Sequence, residues 1–376
     1  MFSHNFSKKY RNPLNLTLIL LTTLFSLSAT AVDLNDTDAE PGPAYIPSDY
    51  LWIDAERLSR LPMEGAAWDR LLKISKRPLK HPNLSDQDDK ANVEVLAKAL
   101  VFARTGDEQL RQQVIRSCMM AIGTERNGRV LDVAKELMAY VLAADLVKLP
   151  EAEDKRFRQF LLTQMIRRYP SGKTLRSTHE DRPNNWGTYS GATRIAIAAY
   201  LGDRKEVARS AKVFKGWLGD RDVYQEFRYK EDSWQADDDN PVGINPKGAS
   251  RDGHSIDGVL PDDQRRGGRF SWPPPKENYV YTALQGAVAQ AVLLHRMGYP
   301  VWQWQDQALL RAFQWLNHTA RFPAEGDDTW LPHIINYYYG SDFDAPTPSK
   351  PGKNMGWSDW THAANESANA PNQDQQ

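Results

Sequence analysis

Three groups of residues carry types and spacings suited to chemistry. The first is Arg182-Pro-Asn184-Asn185-Trp186-Gly-Thr-Tyr189, set just ahead of an apolar run with helical spacing. Capping explains one Asn at a helix start. A pair flanked by arginine and aromatics suggests a second use, an Asn185 amide that donates to a carboxylate outside the helix. The second group is a long segment in which His254 lies among glycines, followed by Arg265, Arg266 and Arg269. Glycine permits close approach of backbone to a ligand, and arginine grips carboxylates through paired hydrogen bonds. A solvated charge run is the plain alternative, and a lone His is more often structural. The third is Tyr279-Val-Tyr281-Thr-Ala-Leu284 at the start of another helix. Tyr281 shares a face with Leu284 and is also a core candidate, whereas Tyr279 sits at the loop–helix junction and is the freer phenol.

One reaction uses all three groups. The C5 proton of a uronic acid is weakly acidic because its neighbouring carboxylate is already negative. Arg, Asn or His donors around that carboxylate let it accept the charge that develops as the proton leaves, a stabilisation of several kcal/mol in comparable sites. A base must take the proton and an acid must protonate the departing O4. Free tyrosine has a pKa of about 10, so a basic phenol needs positive charge beside it. In mannuronate and glucuronate the C5 proton and O4 lie on one side, and a single Tyr can serve both steps. For the C5 epimers the base must come from the other face, where a His would be needed.

Composition narrows the partners. A net charge of −1 provides no basic field for nucleic acid, so an anionic ligand must be met by local arginines. The expected partner is an anionic polysaccharide, with tryptophans as further sugar platforms. No Cys/His spacing suggests zinc and no Gly-rich phosphate loop is present, so no cofactor is expected. Asp237-Asp-Asp-Asn240 has oxygen ligands for Ca²⁺ but lacks the full loop spacing, and a solvated turn is the simpler reading. His333 and Asn336, near Tyr337-Tyr-Tyr339, are candidates for lining a cleft. Lys8, Lys9 and Arg11, an apolar stretch from Leu14 to Leu27 and Ala29-Thr-Ala31 read as an export signal cleaved after Ala31, for a periplasmic or secreted protein with no membrane association after cleavage. Cys118, the single cysteine, precludes an intrachain disulfide and falls in an apolar run that reads as core.

The elements that must position these groups are helical. Apolar periodicity predicts helices over Ala91–Arg104, Glu108–Ile122, Val130–Val147, Asp154–Arg168, Ala192–Leu201, Glu206–Leu218, Tyr281–Met297 and Trp304–Thr319. Gly106-Asp107 and Gly202-Asp203 join neighbours: glycine ends one helix in the left-handed region and aspartate caps the next. Helix pairs without intervening strand patterns predict an all-α chain, curled into an α/α toroid, with an open solenoid as the alternative. Expected boundaries are a signal at 1–31, a leader at 32–49, a single domain at 50–362 and a tail at 363–376. Tyr224–Asn278 and the stretch after Phe322 break the helical rhythm, and loops this long are usually functional.

The chain resembles the alginate lyase-type polysaccharide lyases with an α/α toroid, most closely family thirty-eight, which acts on glucuronan and alginate, and more distantly family five. The family-five Asn-Asn-His-Ser-Tyr-Trp motif corresponds to Asn184-Asn185-Trp186-Gly-Thr-Tyr189, and a later motif to Asp257-Gly-Val-Leu-Pro261, Arg266-Gly267 and Tyr279-Val-Tyr-Thr-Ala-Leu284. The likeness also touches Leu84-Ser-Asp-Gln87, Ala91-Asn-Val and Met355-Gly-Trp-Ser-Asp-Trp360. It implies Asn185 and Arg266 as carboxylate neutralisers and Tyr279 as catalytic Tyr. Trp186 stands where family five has His, so His254 is the candidate for that role. A longer spacing from Arg266 to Tyr279 keeps Arg265 and Arg269 as rivals. A glycoside hydrolase using two of Asp237, Asp239, Asp252 and Asp257 and a non-catalytic sugar-binding protein are the competing classes.

Overall fold

The computed structural model describes residues 49–230, 233–348 and 350–363. The expected signal, nearly all of the leader and all but the first residue of the tail lie outside them. The described residues belong to a compact unit that begins at Ala39; the other unit, Met1–Asp38, lies outside the described residues. Helix makes up 57% of the described residues and strand 1%, which sets the class as all-α.

Short helices α1 (Ala55–Arg60) and α2 (Ala66–Ser75) precede α3 (Ala91–Thr105), α4 (Glu108–Ala121), α5 (Val130–Val147), α6 (Glu151–Ile166), α7 (Leu175–Asp181), α8 (Asn185–Leu201) and α9 (Arg204–Trp217). A hairpin of β1 (Ser250–Arg251) and β2 (His254–Ser255) and the one-turn α10 (Pro261–Gln264) punctuate the long loop. Then follow α11 (Tyr279–Arg296), α12 (Trp304–Gln314), α13 (Leu331–Tyr339) and α14 (Ser358–Thr361). The Gly-Asp turns form as the sequence predicts. Gly106 and Gly202 both sit at φ 77°, and the Asp107 and Asp203 carboxylates cap α4 and α9. Two expectations change. The predicted helix through Thr319 starts with left-handed residues Gln305–Gln307 and ends in a π turn, Trp315–Thr319. The stretch after Phe322 contains α13, whose start carries Pro332.

The helices divide by burial. Helix α4 shows an apolar stripe of Leu110, Val114, Ile115 and Cys118, the pattern of an outer helix. Burial pushes the Cys118 thiol up to about 12, so it is an inert core group. Helices α3, α5, α8 and α11 are buried nearly all round and pack in the order α3–α5–α8–α11, which makes them inner helices. Contact pairs advance together along α8 and α11: the Tyr189 hydroxyl donates to Gln285 at 2.9 Å, and Gly191 abuts Gln290. These two helices therefore run in the same sense, with Asn185 and Tyr279 at their starts. Their backbones touch: a Cβ on Gly286 would come within 2.4 Å of the Thr188 carbonyl carbon. Gly286→Ala should therefore cost about 1–3 kcal/mol of overpacking, read as a lowered urea midpoint with an unchanged m-value.

Candidate active site

The turn from α7 into α8 is fixed first. Pro183 disfavours helix at Arg182, and Trp217 Nε1 donates to the Pro183 carbonyl at 2.6 Å. Gly187 is obligatory, since a Cβ there would lie 1.8 Å from the Arg182 carbonyl oxygen. The two asparagines then separate in role. The Asn184 side chain caps the helix, accepting from the Trp186 N–H at 3.2 Å. Asn185 is 1% exposed, and its side-chain oxygen has no hydrogen-bond partner among the described residues. An orphaned buried amide is costly and calls for an explanation.

The Asn185 backbone N–H donates to Asp263 Oδ1 at 3.2 Å. Asp263 lies in α10, directly ahead of the 3₁₀ turn Arg265–Gly267. Burial, and secondarily Asp262, holds the Asp263 carboxyl well above the usual range, opposed by the Asn185 N–H and by Arg266 and Arg265. The Arg266 guanidinium lies 3.2 Å from the centre of the Tyr279 ring. Tyr279 is 39% exposed at the start of α11. Asp263 thus binds the Asn185 backbone and lies in the field of Arg266, which itself lies on the Tyr279 ring. Arg265 differs: its Nε is held by Asp262 Oδ1 at 3.0 Å. Arg269 is exposed, in a segment tied down by Trp234 Nε1 donating to the Gly268 carbonyl at 3.0 Å.

His254 follows a tight turn with Asp252 at φ 49° and Gly253 at φ 80°, the double-positive geometry of a hairpin turn. Its ring stacks on Trp272, with centroids 4.2 Å apart and planes 8° apart. Trp272 belongs to the same loop as Arg266 and is exposed. Trp186 is flanked by two guanidiniums, Arg182 at 5.9 Å and Arg129 at 6.0 Å. Arg129 is a residue the sequence reading missed. It precedes α5 and bonds Asp132 at 2.6 Å, so in sequence it reads only as a helix cap.

Two expected binding residues, Tyr281 and Tyr189, are buried, and a third, His333, packs with the C-terminal segment. Tyr281 is fully buried, donates to the Phe322 carbonyl at 2.6 Å and packs edge-on to Phe313 and Phe322. Two residues after Tyr279 on a helix, it faces the opposite way. Tyr189 is 1% exposed and spends its hydroxyl on Gln285, which donates to Asp328 at 2.5 Å. Burial and nearby Asp328 keep this phenol well above its ordinary value, a floor group rather than a donor. His333 lies near the Pro346 carbonyl, in the field of Asp359 and Arg70, with the packing of the C-terminal segment. Asn336 likewise bonds Ser341 and Phe343. The acidic turn closes on itself, with Asp237 accepting from the N–H groups of Asp239 and Asn240.

Residues 104–234 match the family model described as Alginate lyase. The chain is a polysaccharide lyase. No curated protein matches it. The matched segment spans α4 to α9 and holds Arg129, Asn184, Asn185 and Trp186. Arg266 and Tyr279 of the lyase lie beyond it. The match supports an alginate-like polyuronate substrate. Among the described residues no helix is long and apolar enough to cross a membrane.

The two asparagines make separable predictions. Asn184→Ala removes a cap and should cost about 1 kcal/mol of stability. Asn185→Ala removes an unpaired buried oxygen, so its unfolding midpoint should fall less than that of Asn184→Ala while its turnover falls more. Urea titration beside steady-state rates checks both.

Proposed function

We propose that the lyase cleaves a 1,4-linked polyuronate, glucuronan or polymannuronate, by β-elimination in a cleft at the starts of α8 and α11. The observation that carries this reading is the Asp263 linkage, in which the carboxyl that binds the Asn185 N–H lies in the field of Arg266, an arginine that lies on the exposed ring of Tyr279. Asn185 and Arg266 receive the C6 carboxylate of the reacting sugar and stabilise the charge it gains as C5 loses its proton. Tyr279 takes that proton as the base. The C5–H electrons form the C4=C5 double bond, the C4–O4 bond breaks, and the phenol returns the proton to O4. One fragment gains a reducing end and the other an unsaturated uronate.

The remaining expected residues take supporting roles in this reading. Trp186, held between Arg129 and Arg182, offers a sugar platform beside Asn185. His254 acts through its stack on Trp272, at the side of the Arg-rich loop. The use of Trp186 at the position of the family-five His suits a single-base route, which suits sugars whose C5 proton and O4 lie on one side. Packing of α3, α5, α8 and α11 as inner helices supports the α/α toroid, and the residues before Val32 support export. The hydrolase alternative loses two carboxylates to structure: Asp237 closes its own turn, and Asp257 bonds Arg311 at 2.5 Å.

Polyuronates offered singly to the full chain should yield ultraviolet-absorbing unsaturated ends. New reducing ends without that absorbance would sink the proposal. Tyr279→Phe should lower kcat by on the order of a hundredfold or more with substrate binding largely kept. Arg266→Ala should both raise KM and lower kcat, because the carboxylate is held before and during proton loss. If Arg269→Ala alone has that double effect, the carboxylate grip belongs to Arg269.

A further inference from the structure

We infer that Lys135 is a second carboxylate anchor, one that holds the acid group of a sugar next to the one being cleaved. This rests on the polyuronate reading above. Every residue of α5 is buried except Lys135. Of α8 from Asn185 to Tyr200 only Trp186 is not buried, and of α11 from Tyr279 to Leu294 only Tyr279 and Thr282. The inner wall therefore opens at Tyr279, Trp186 and Lys135. Lys135 Nζ lies 5.3 Å above the centre of the Tyr189 ring, one helical turn past Asn185 on α8. Arg129, at the cap of the helix that carries Lys135, reaches Trp186. A row of positive groups thus runs from the reacting position along the wall.

What separates Lys135 from its neighbours is the lack of a counterion. Among the described residues it has no ion pair or hydrogen bond, only the Tyr189 ring. Of the acids whose charge reaches it, Asp88 is exposed and forms no ion pair with it, while Asp132 is engaged by Arg129 at 2.6 Å, Glu136 by Lys353 at 2.8 Å and Asp328 by Gln285 at 2.5 Å. The other lysines nearby are paired, Lys90 with Asp327 at 3.2 Å and Lys353 with Glu136. Burial, and then Lys353, lowers the pKa of Lys135, so the unpaired ammonium is a cost to the free protein. A polyuronate carries a carboxylate on each sugar. While Asn185 and Arg266 hold one, the neighbouring sugar presents another to the wall, and Lys135 is a cation there with no ion pair among the described residues.

The test uses the full-length lyase and whichever polyuronate it cleaves. Lys135→Met keeps the aliphatic stem and should raise KM about tenfold, the worth of one charge-assisted contact, with a much smaller change in kcat. The KM difference from wild type should shrink in high salt, and Lys135→Arg should restore most of the affinity. The melting temperature of Lys135→Met should hold or rise, because an unpaired half-buried charge is gone; a lysine with a structural role would lower it. An unchanged KM, or a fall in kcat with KM intact, overturns the anchor. If wild type makes no unsaturated ends from any polyuronate, the elimination reading fails and takes the anchor with it. If Tyr279→Phe silences a lyase whose KM ignores Lys135→Met, the anchor alone fails.

Discussion

The site depends on one buried carboxyl. Asp263 is 1% exposed, accepts the first N–H of α8 and lies in the field of Arg265 and Arg266. A helix start has N–H groups without internal partners, and an acceptor set there satisfies one of them. Here that group comes from 78 residues further along the chain. It pins the long loop to the start of α8, so the amide of Asn185 and the guanidinium of Arg266 share one frame. Tyr279, thirteen residues past Arg266, is then brought in by the contact of its own ring with Arg266. Remove the carboxyl, and the donor groups sit on two elements with no common anchor.

The floor beneath that frame is polar and closely packed. His179 is buried, and burial followed by Arg194 keeps it well below its ordinary value. It contacts Arg194 Nη1 at 3.3 Å; Arg194 Nε is bound to Glu206 at 2.6 Å, and Glu206 also takes Arg176 at 2.8 Å. Buried charges persist only when such partners are complete. The network ties α7, α8 and α9 together. Gly191 and Gly286 let Gln290 and the α11 backbone meet α8 at distances no side chain would allow. Rigidity of α8 and α11 is what holds two loop-borne chemistries to a common distance, since backbone packing of this kind leaves little room for sliding.

Much of this was legible in the sequence, and the reasons are specific. Gly106-Asp107 and Gly202-Asp203 announce their turns because the left-handed stop and the cap are local physics. The Asn184–Asn185 pair suggests a capping residue and a spare one for the same reason. The fates of Tyr189 and Tyr281 were not legible. Periodicity states which residues share a face, but in a helix buried on nearly every side each face is occupied, and only packing tells floor from cleft. Arg129 and Lys135 were missed for a related reason. Within α5 they read as a cap and a solvated charge, and their meaning arises from the neighbouring α8, to which no local signal points.

Trp186 shows how a change of residue type can reshape a site without moving its frame. A histidine at the second position of α8 would bring a titratable group next to Asn185. Tryptophan brings a broad apolar face instead, with Arg129 and Arg182 near its ring at 6.0 and 5.9 Å. Such cations are drawn to the ring's electron-rich faces; Arg129 is held by Asp132, and Arg182 stays available to anions at the rim. In the proposed reading this exchanges a proton-transfer group for a platform bordered by positive charge, and the burden of moving the proton falls on Tyr279. A base confined to one side of the sugar ring can serve only those uronates whose proton and leaving oxygen share that side, so the identity of residue 186 bears on which sugar acid the cleft can open.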